Sequence, residues 1–406
     1  MTATGSIPAP PADRTRRDSG AFVVAAVGFI LVFAAAGAPI PLYETYRVED
    51  GIATGDLAFG AVAYFAGTLA ALLVLGRLSD HIGRKPVVVA ALLLAATGVM
   101  LMTQVHGVGM LSLARLLQGL ASGLAASAVG AYVVDAAPER PAWLPTTITG
   151  SGPMFGIPAG ALLAGVLAET SPAPRVLPFA VLSAALLVCA VAVLPMRETA
   201  PYAPGALRSL APRVSVPRGA GRLLFAVGAA AFATWSIGGA YQAFAPTITA
   251  DHLGSDSALV AALVFSSIMV LGPLGGPIAG RLGARRAMRI GIVVFAVAIV
   301  GALLSLRAGA IVPFLIASLV GAIAQGTTAS AGTGALLARS APAQRGATLA
   351  AVYVISYSGA AIPALVAGRL TGAFSLADIF FGYAALTIVG AVTVLSAFPR
   401  KEQPAA

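Results

Sequence analysis

Twelve long apolar runs constrain this chain more than any other feature: 21–41, 57–75, 86–103, 109–134, 146–167, 176–194, 223–248, 259–279, 287–306, 309–338, 347–368 and 376–398. Each approaches the about 20 mostly apolar residues that a helix needs to cross a bilayer. Hydrocarbon offers the backbone no water, so such a run must be helical and satisfy its own N–H and C=O groups. The expected fold class is an all-α membrane protein with twelve transmembrane helices. Composition excludes the alternatives. Of 406 residues, 58% are hydrophobic and 10% charged, whereas a soluble chain carries about 25% charged residues. Extended disorder is excluded by the apolar content of nearly every window. The single cysteine, Cys189, rules out a disulfide scaffold and a cysteine-ligated metal cluster. The run from Ala21 is not read as a secretory signal, because it continues into Pro39, Pro41 and Tyr43 without a small-residue cleavage site.

Charge sets the expected orientation. The net charge is +10, but the basic residues lie in short loops between apolar runs, where they act as a topology signal rather than as a nucleic-acid surface. Arg47, Arg175, Arg307 and Arg369 fall on one side and Arg115 within a span, which leaves 20 of the 25 Lys and Arg on the other side. Basic loops are retained in the cytoplasm, so both termini are expected there. Only Lys85 and Lys401 are lysine. That arginine bias points to a GC-rich bacterial genome, and the expected location is the bacterial cytoplasmic membrane.

The longest interruption, 196–222, is rich in Pro, Arg and Gly and falls near the midpoint. It reads as a cytoplasmic linker between six-helix bundles at 21–195 and 223–398, with a disordered tail at 1–20 and a second tail at 399–406. Short strings recur across the divide. Gly76-Arg77-Leu78 returns as Gly280-Arg281-Leu282, Gln118-Gly119 as Gln325-Gly326, and Ile157-Pro158-Ala159 as Ile362-Pro363-Ala364. Asp135 to Pro138 aligns with Arg339 to Pro342. One nearly constant offset marks an internal repeat. With six spans in each half the copies enter the membrane in the same orientation, an arrangement of secondary transporters whose substrate site lies between the halves.

Three motifs carry the remaining signal. The loop after the second run reads Gly76-Arg77-Leu78-Ser79-Asp80-His81-Ile82-Gly83-Arg84-Lys85. Gly76 and Gly83 allow a tight reversal. Asp80 precedes the helix that Pro86 opens, where a carboxylate is favoured. Arg84 and Lys85 are placed to pair with Asp80, or with Asp135 and Glu139 of the next loop, which also carries Arg140. The fourth run contains Arg115-Leu116-Leu117-Gln118-Gly119, and the fifth contains Gly152, Pro153, Gly156 and Pro158, small and kinking residues that suit close helix packing, as does Pro363.

Arg115 is the only formal charge well within a span, about 9 Å from Gly109 at 1.5 Å per residue. Its insertion costs ~2.5–3.5 kcal/mol, so it must face a cavity or a partner. Two readings stay open: it binds an anionic group or couples to protonation, or it bonds a neighbouring helix's carbonyls and fixes packing. Gln118, Trp235, Tyr241, Gln242, Gln325, Tyr353 and Tyr357 lie at cavity depth, and each also suits helix packing or an interfacial anchor. No acid lies deep in a span. Glu44, at the outer end of the first, is either an outer proton site or a solvated loop acid. The histidines, His81, His106 and His252, lie in loops and no G-K-[ST] phosphate loop exists, so no enzyme is expected.

The signature loop and Arg115-x-x-Gln118-Gly119 resemble the G-x-L-x-D-R-x-G-R-K/R loop and the fourth-helix R-x-x-Q-G pattern of the major facilitator superfamily, with His81 where arginine is usual. The resemblance implies two six-helix bundles related by a pseudo-two-fold along the membrane normal. It implies alternating-access transport of a small molecule by a monomer in the bilayer, without a cofactor. It also implies that the signature loop latches the halves on the cytoplasmic side. The second-half copy, Gly280 to Arg286, has lost the aspartate. The fifth span is similar to the G-P-x-x-G-G motif of the family's drug/proton antiporters, with Ile157 in place of the last glycine, which implies proton-coupled export of a partly hydrophobic organic molecule. Proton-coupled import and a non-transporting sensor stay open.

Overall fold

The computed structural model describes residues 12–141 and 143–397; most of the expected N-terminal tail and all of the C-terminal one lie outside them. Among the described residues all regular structure is helical. The first span, α1 (Ala12–Gly37), begins inside the stretch expected to be a tail and runs on through a 3-10 turn, Ile40–Leu42, into a helix at Tyr43–Glu49. Pro39 and Pro41 redirect the chain without ending it, because a proline at a helix start removes an N–H that has no partner anyway. The second to fifth spans are α2 (Thr54–Leu75), α3 (Arg84–Gln104), α4 (Val108–Asp135) and α5 (Trp143–Thr170). The sixth, α6 (Leu177–Val193), is the shortest at 17 residues. After the linker come α7 (Gly221–Leu253), α8 (Ala258–Leu282), α9 (Ala284–Arg307), α10 (Ile311–Leu337), α11 (Arg345–Leu370) and α12 (Leu376–Ala397).

Among the described residues twelve apolar helices therefore stand where twelve were expected, eleven of them long enough to cross a bilayer by the ordinary measure and one shorter. Their interiors are less regular than the apolar runs imply. α8 breaks after Ser267 and resumes through a 3-10 turn at Gly272–Leu274, where Pro273 removes a backbone donor. α2 and α4 each contain five π-helical residues, Ala71–Leu75 and Ala125–Val129.

Buried apolar residues fall into two clusters. One is drawn wholly from α1 to α6 and the segments joining them. The other is drawn from α7 to α12, joined by Ala36, Ile40, Ala58, Ala61, Tyr64, Phe65 and Ala161 of the first half. Each half thus has its own core, and a small set on α1, α2 and α5 is shared.

Close helix crossings repeat between halves. A Cβ at Gly37 of α1 would fall on the Ile157 carbonyl oxygen of α5, and one at Gly239 of α7 on the Ala360 carbonyl oxygen of α11. Likewise Gly119 of α4 meets the Tyr64 carbonyl of α2, and Gly326 of α10 meets the Gly272 carbonyl of α8. The repeated Gln-Gly and Ile-Pro-Ala strings sit at these crossings, where backbones approach as only glycine permits.

Candidate functional site

Three polar or aromatic clusters bear on the mid-membrane layer and on the contact between the halves. The first surrounds Arg115, which is fully buried on α4. Its NH1 donates to the Ala36 carbonyl of α1 and to Gln118 Oε1, both at 2.7 Å. Its guanidinium lies over the Tyr64 ring of α2, 4.6 Å from the centroid. A carbonyl, an amide and a π-face thus replace the carboxylate that a buried arginine usually takes. Nε and NH2 of Arg115, Nε2 of Gln118 and the hydroxyls of Tyr43 and Ser122 are buried without a hydrogen-bond partner.

The second cluster is aromatic and joins the halves. Phe65 of α2 meets Tyr357 of α11 at 6.2 Å between centroids. Trp235 of α7 packs edge-on to the same Tyr357 ring at 4.9 Å, and Tyr353 approaches it at 6.3 Å. Each of these residues is close to the middle of its helix. Trp235, Tyr353 and Tyr357 were read from the sequence as separate cavity candidates, and the fold brings them together. Tyr64 and Phe65 complete the cluster; sequence reading missed them because an aromatic pair in an apolar run carries no sign of what it faces. Tyr241 goes elsewhere. Its hydroxyl bonds Ser318 at 2.6 Å and its ring stacks on Phe314, all within the C-terminal bundle. Gln242 is buried on α7 and Gln325 half-buried on α10, and neither joins the hydrogen bonds of Arg115.

The third cluster seals the halves on the face opposite the chain ends. Arg47 pairs with Glu44 at 2.6 Å and with Asp251 of α7 at 3.1 Å. Glu44 is therefore not a solvated loop acid: the first span stays helical past Pro41, leaving its side chain 15% exposed beside Arg47. Glu169 of α5 accepts from the Ser257 hydroxyl and from the Leu259 backbone N–H, across the halves at the start of α8. Gly55 of α2 and Gly368 of α11 let their backbones touch; a Cβ at Gly55 would stand 2.5 Å from the Gly368 oxygen. Toward the linker, Thr146 and Thr147 of α5 and Ser330 of α10 are exposed.

The signature loop is organised differently from the expectation. Gly76 keeps an ordinary helical φ of −58°, and the reversal falls at Gly83, with φ +93°. Arg84 pairs with Asp80 at 2.5 Å and Asp135 at 3.2 Å, both within the first half. Asp80 does not cap α3. Glu198 of the linker does, accepting from the backbone N–H of Arg84 and Lys85 at 2.7 and 3.0 Å. The Lys85 ammonium pairs with no carboxylate among the described residues; its Nζ donates to the Leu194 carbonyl beyond α6 at 2.7 Å, where a cation suits a helix C-terminus. Arg77 donates to the Ser209 and Ala211 carbonyls, and His81 contacts Pro204. The loop thereby grips the linker. Arg140 is exposed outside these pairs. In the fifth span, Gly152 faces the Phe29 ring and Gly156 the backbone of Ile30 in α1, with Pro153 and Pro158 inside the helix; Pro363 lies likewise inside α11. Among the described residues no group of His, Cys, Asp and Glu is arranged to hold a metal.

Comparison with known proteins adds three findings. The model of the Major Facilitator Superfamily matches residues 25–272 and 223–406. No curated relative matches in sequence. Among solved structures, the chain is similar to a bacterial homologue of the human lysosomal transporter Spinster in an inward-facing, occupied conformation (14% identity, TM-score 0.72, 96% of this chain and 97% of that one covered). It is also similar to the nucleoside transporter NupG (14% identity, TM-score 0.72, 93% and 100% covered).

Proposed function

The chain belongs to the major facilitator superfamily, and we propose that it is a secondary active transporter exporting a small, partly apolar organic molecule in exchange for protons. One observation carries the reading: the halves are closed on each other above an aromatic cluster that both halves build. A site flanked by a seal on one face, and by exposed threonine and serine on the other, suits alternating access around a fixed site. The excess of Lys and Arg on the linker face supports a cytoplasmic side for it, and on that reading the sealed state is inward-facing. The bundles at 21–195 and 223–398 rock as units about the linker, and a monomer in the bacterial cytoplasmic membrane suffices.

In this cycle Arg84, Asp80 and Asp135 stay together within the first half while the seal is on the far face. They reach the second half only when the cytoplasmic ends close. Coupling is assigned to Glu44 and Glu169, because the seal holds the acids nearest the external proton reservoir and no described span holds one at mid-depth. A proton on Glu169 removes an acceptor that the Ser257 hydroxyl and the Leu259 N–H use across the halves, which ties opening toward the outside to external protons. Glu44 acts on the seal only through Arg47, which it holds within the first half. The test is accumulation of candidate substrates in everted vesicles energised to acidify their interior. Export by proton exchange predicts accumulation that collapses on adding an uncoupler. Uncoupler-resistant flux sinks proton exchange, and accumulation only in right-side-out vesicles sinks export.

A further inference from the structure

The aromatic cluster and Arg115 together have a chemistry that the transport reading leaves unspecified. Phe65, Trp235 and Tyr357 present ring surfaces from both halves. Tyr64 links this surface to Arg115, its ring 5.6 Å from Phe65 and 4.6 Å beneath the guanidinium. Among the described residues the acids of the spans all lie near span ends, so no carboxylate offsets the arginine in this layer. An organic cation would meet uncompensated like charge here. The hydrogen-bonding inventory has the same sign. Two guanidinium nitrogens and the Gln118 amide nitrogen are buried without an acceptor in bonding geometry and can only donate, while the Tyr43 hydroxyl beside the guanidinium and the Ser122 hydroxyl beside Tyr64 can donate or accept. Such a set is completed by a ligand that brings acceptors.

We propose that the substrate is a planar aromatic molecule carrying a carboxylate or a comparable anionic acceptor group. Its rings stack among Phe65, Trp235 and Tyr357, and its anionic end displaces the Tyr64 ring to reach Arg115. Tyr64 is then a lid that satisfies the guanidinium through its π-face while the site is empty. This inference rests on the transport reading of the same site.

Trp143 and Trp235 are the only tryptophans, and Trp143 is 62% exposed at the start of α5. Trp143→Phe therefore leaves Trp235 as the sole indole emitter in the full-length protein. Three nitrobiphenyl probes share one ring system and differ in charge: the carboxylate, the carboxamide and the aminomethyl cation. The nitroaryl group quenches indole emission on binding. The expected result is saturable quenching by the carboxylate, about tenfold weaker binding of the amide, and the cation weakest. Arg115→Gln should erase the preference for carboxylate over amide while ring binding persists, and Tyr357→Ala should weaken all three. If Arg115→Gln fails to fold, the charge order in the Trp143→Phe protein decides alone. A cation that binds as tightly as the carboxylate, absence of saturable quenching, or an unchanged preference in folded Arg115→Gln overturns the proposal. Carboxylate-selective quenching without vesicle flux would sink the transport reading and leave the ligand class standing. Energised flux of other compounds without quenching would do the reverse.

Discussion

Arg47 and Asp251 join the two halves at 3.1 Å on the face opposite the chain ends, while Glu44 holds the same guanidinium at 2.6 Å from within the first half. The pair to Asp251 is partly exposed, with side chains 32% and 44% accessible. A contact of this kind is worth ~0.2–1 kcal/mol, enough to tilt a two-state equilibrium by up to about fivefold. It biases the seal and does not lock it. Arg47→Ala is expected to lengthen the distance between spin labels at Ala173 and Gly254, both exposed on the sealed face, in a larger fraction of molecules. The double reversal Arg47→Asp with Asp251→Arg should restore part of the short-distance population. An unchanged distance distribution in Arg47→Ala would show that apolar contact alone holds the face.

The glycine crossings set a stricter demand. Gly326 and Gly334 lie two turns apart on α10, yet a Cβ at Gly326 would fall on the Gly272 carbonyl oxygen whereas one at Gly334 meets open space. Overpacking a close-packed interior costs ~1–3 kcal/mol. Gly326→Ala is therefore expected to lower the unfolding temperature in detergent by several degrees, and Gly334→Ala to leave it within error. Equal effects would mean that α8 can shift away at little cost.

Much of the architecture was legible in the sequence because lipid imposes a single rule, one apolar run to one helix. The repeated Gln118-Gly119 and Gln325-Gly326 strings even marked helix crossings that recur in both halves. What escaped was whatever depends on rotation about a helix axis. Tyr241 and Trp235 lie six residues apart on α7, yet Tyr241 turns into its own bundle and Trp235 toward the partner half. Nothing in a uniformly apolar helix says which face meets which neighbour. The Arg84–Asp135 pair could be expected from two loops on one face, but contacts with the linker were hidden. Glu198 caps α3 from a linker 114 residues away, and no local pattern announces such a partner. Glu44 stands at the outer end of the first span as read, but one of its two readings, a loop acid, arose because Pro39 and Pro41 look like a helix end and sit instead in a turn that carries the helix onward.

The signature loop gives a third expectation. Arg84 bonds Asp80, Asp135 and the Ser79 hydroxyl with its side chain 16% exposed, so truncation strands two carboxylates beside each other. With Asp80 50% and Asp135 35% exposed, each pair contributes ~0.2–1 kcal/mol, so the loss comes from the network rather than from one contact. Arg84→Ala should lower thermal stability clearly, and Arg84→Lys should recover little, because an ammonium lacks the planar fork that reaches three acceptors. Asp80→Asn and Asp135→Asn share one partner, so their combined effect should fall short of the sum of the two. Additive losses in the double variant would mean the two carboxylates act independently.

Arg115 separates structure from transport most sharply. It ties α4 to α1 through the Ala36 carbonyl and orients Gln118. Removing it leaves both acceptors buried without that donor, at ~1–3 kcal/mol for each orphaned group, offset by the relief of an unpaired buried charge. These opposing terms predict an Arg115→Ala protein that still inserts in the membrane fraction and unfolds only modestly earlier. Its flux is expected to fall below detection, because no other formal charge stands at mid-membrane among the described residues. Gln118→Leu provides the contrast: it removes the hydrogen bond to Arg115 but keeps the guanidinium and its contact with Tyr64, so flux should drop severalfold and persist. Membrane-inserted Arg115→Ala with parental flux in energised vesicles would assign the arginine to packing alone. Loss of flux in both variants to the same degree would mean that the pair, rather than the charge, is what the substrate meets.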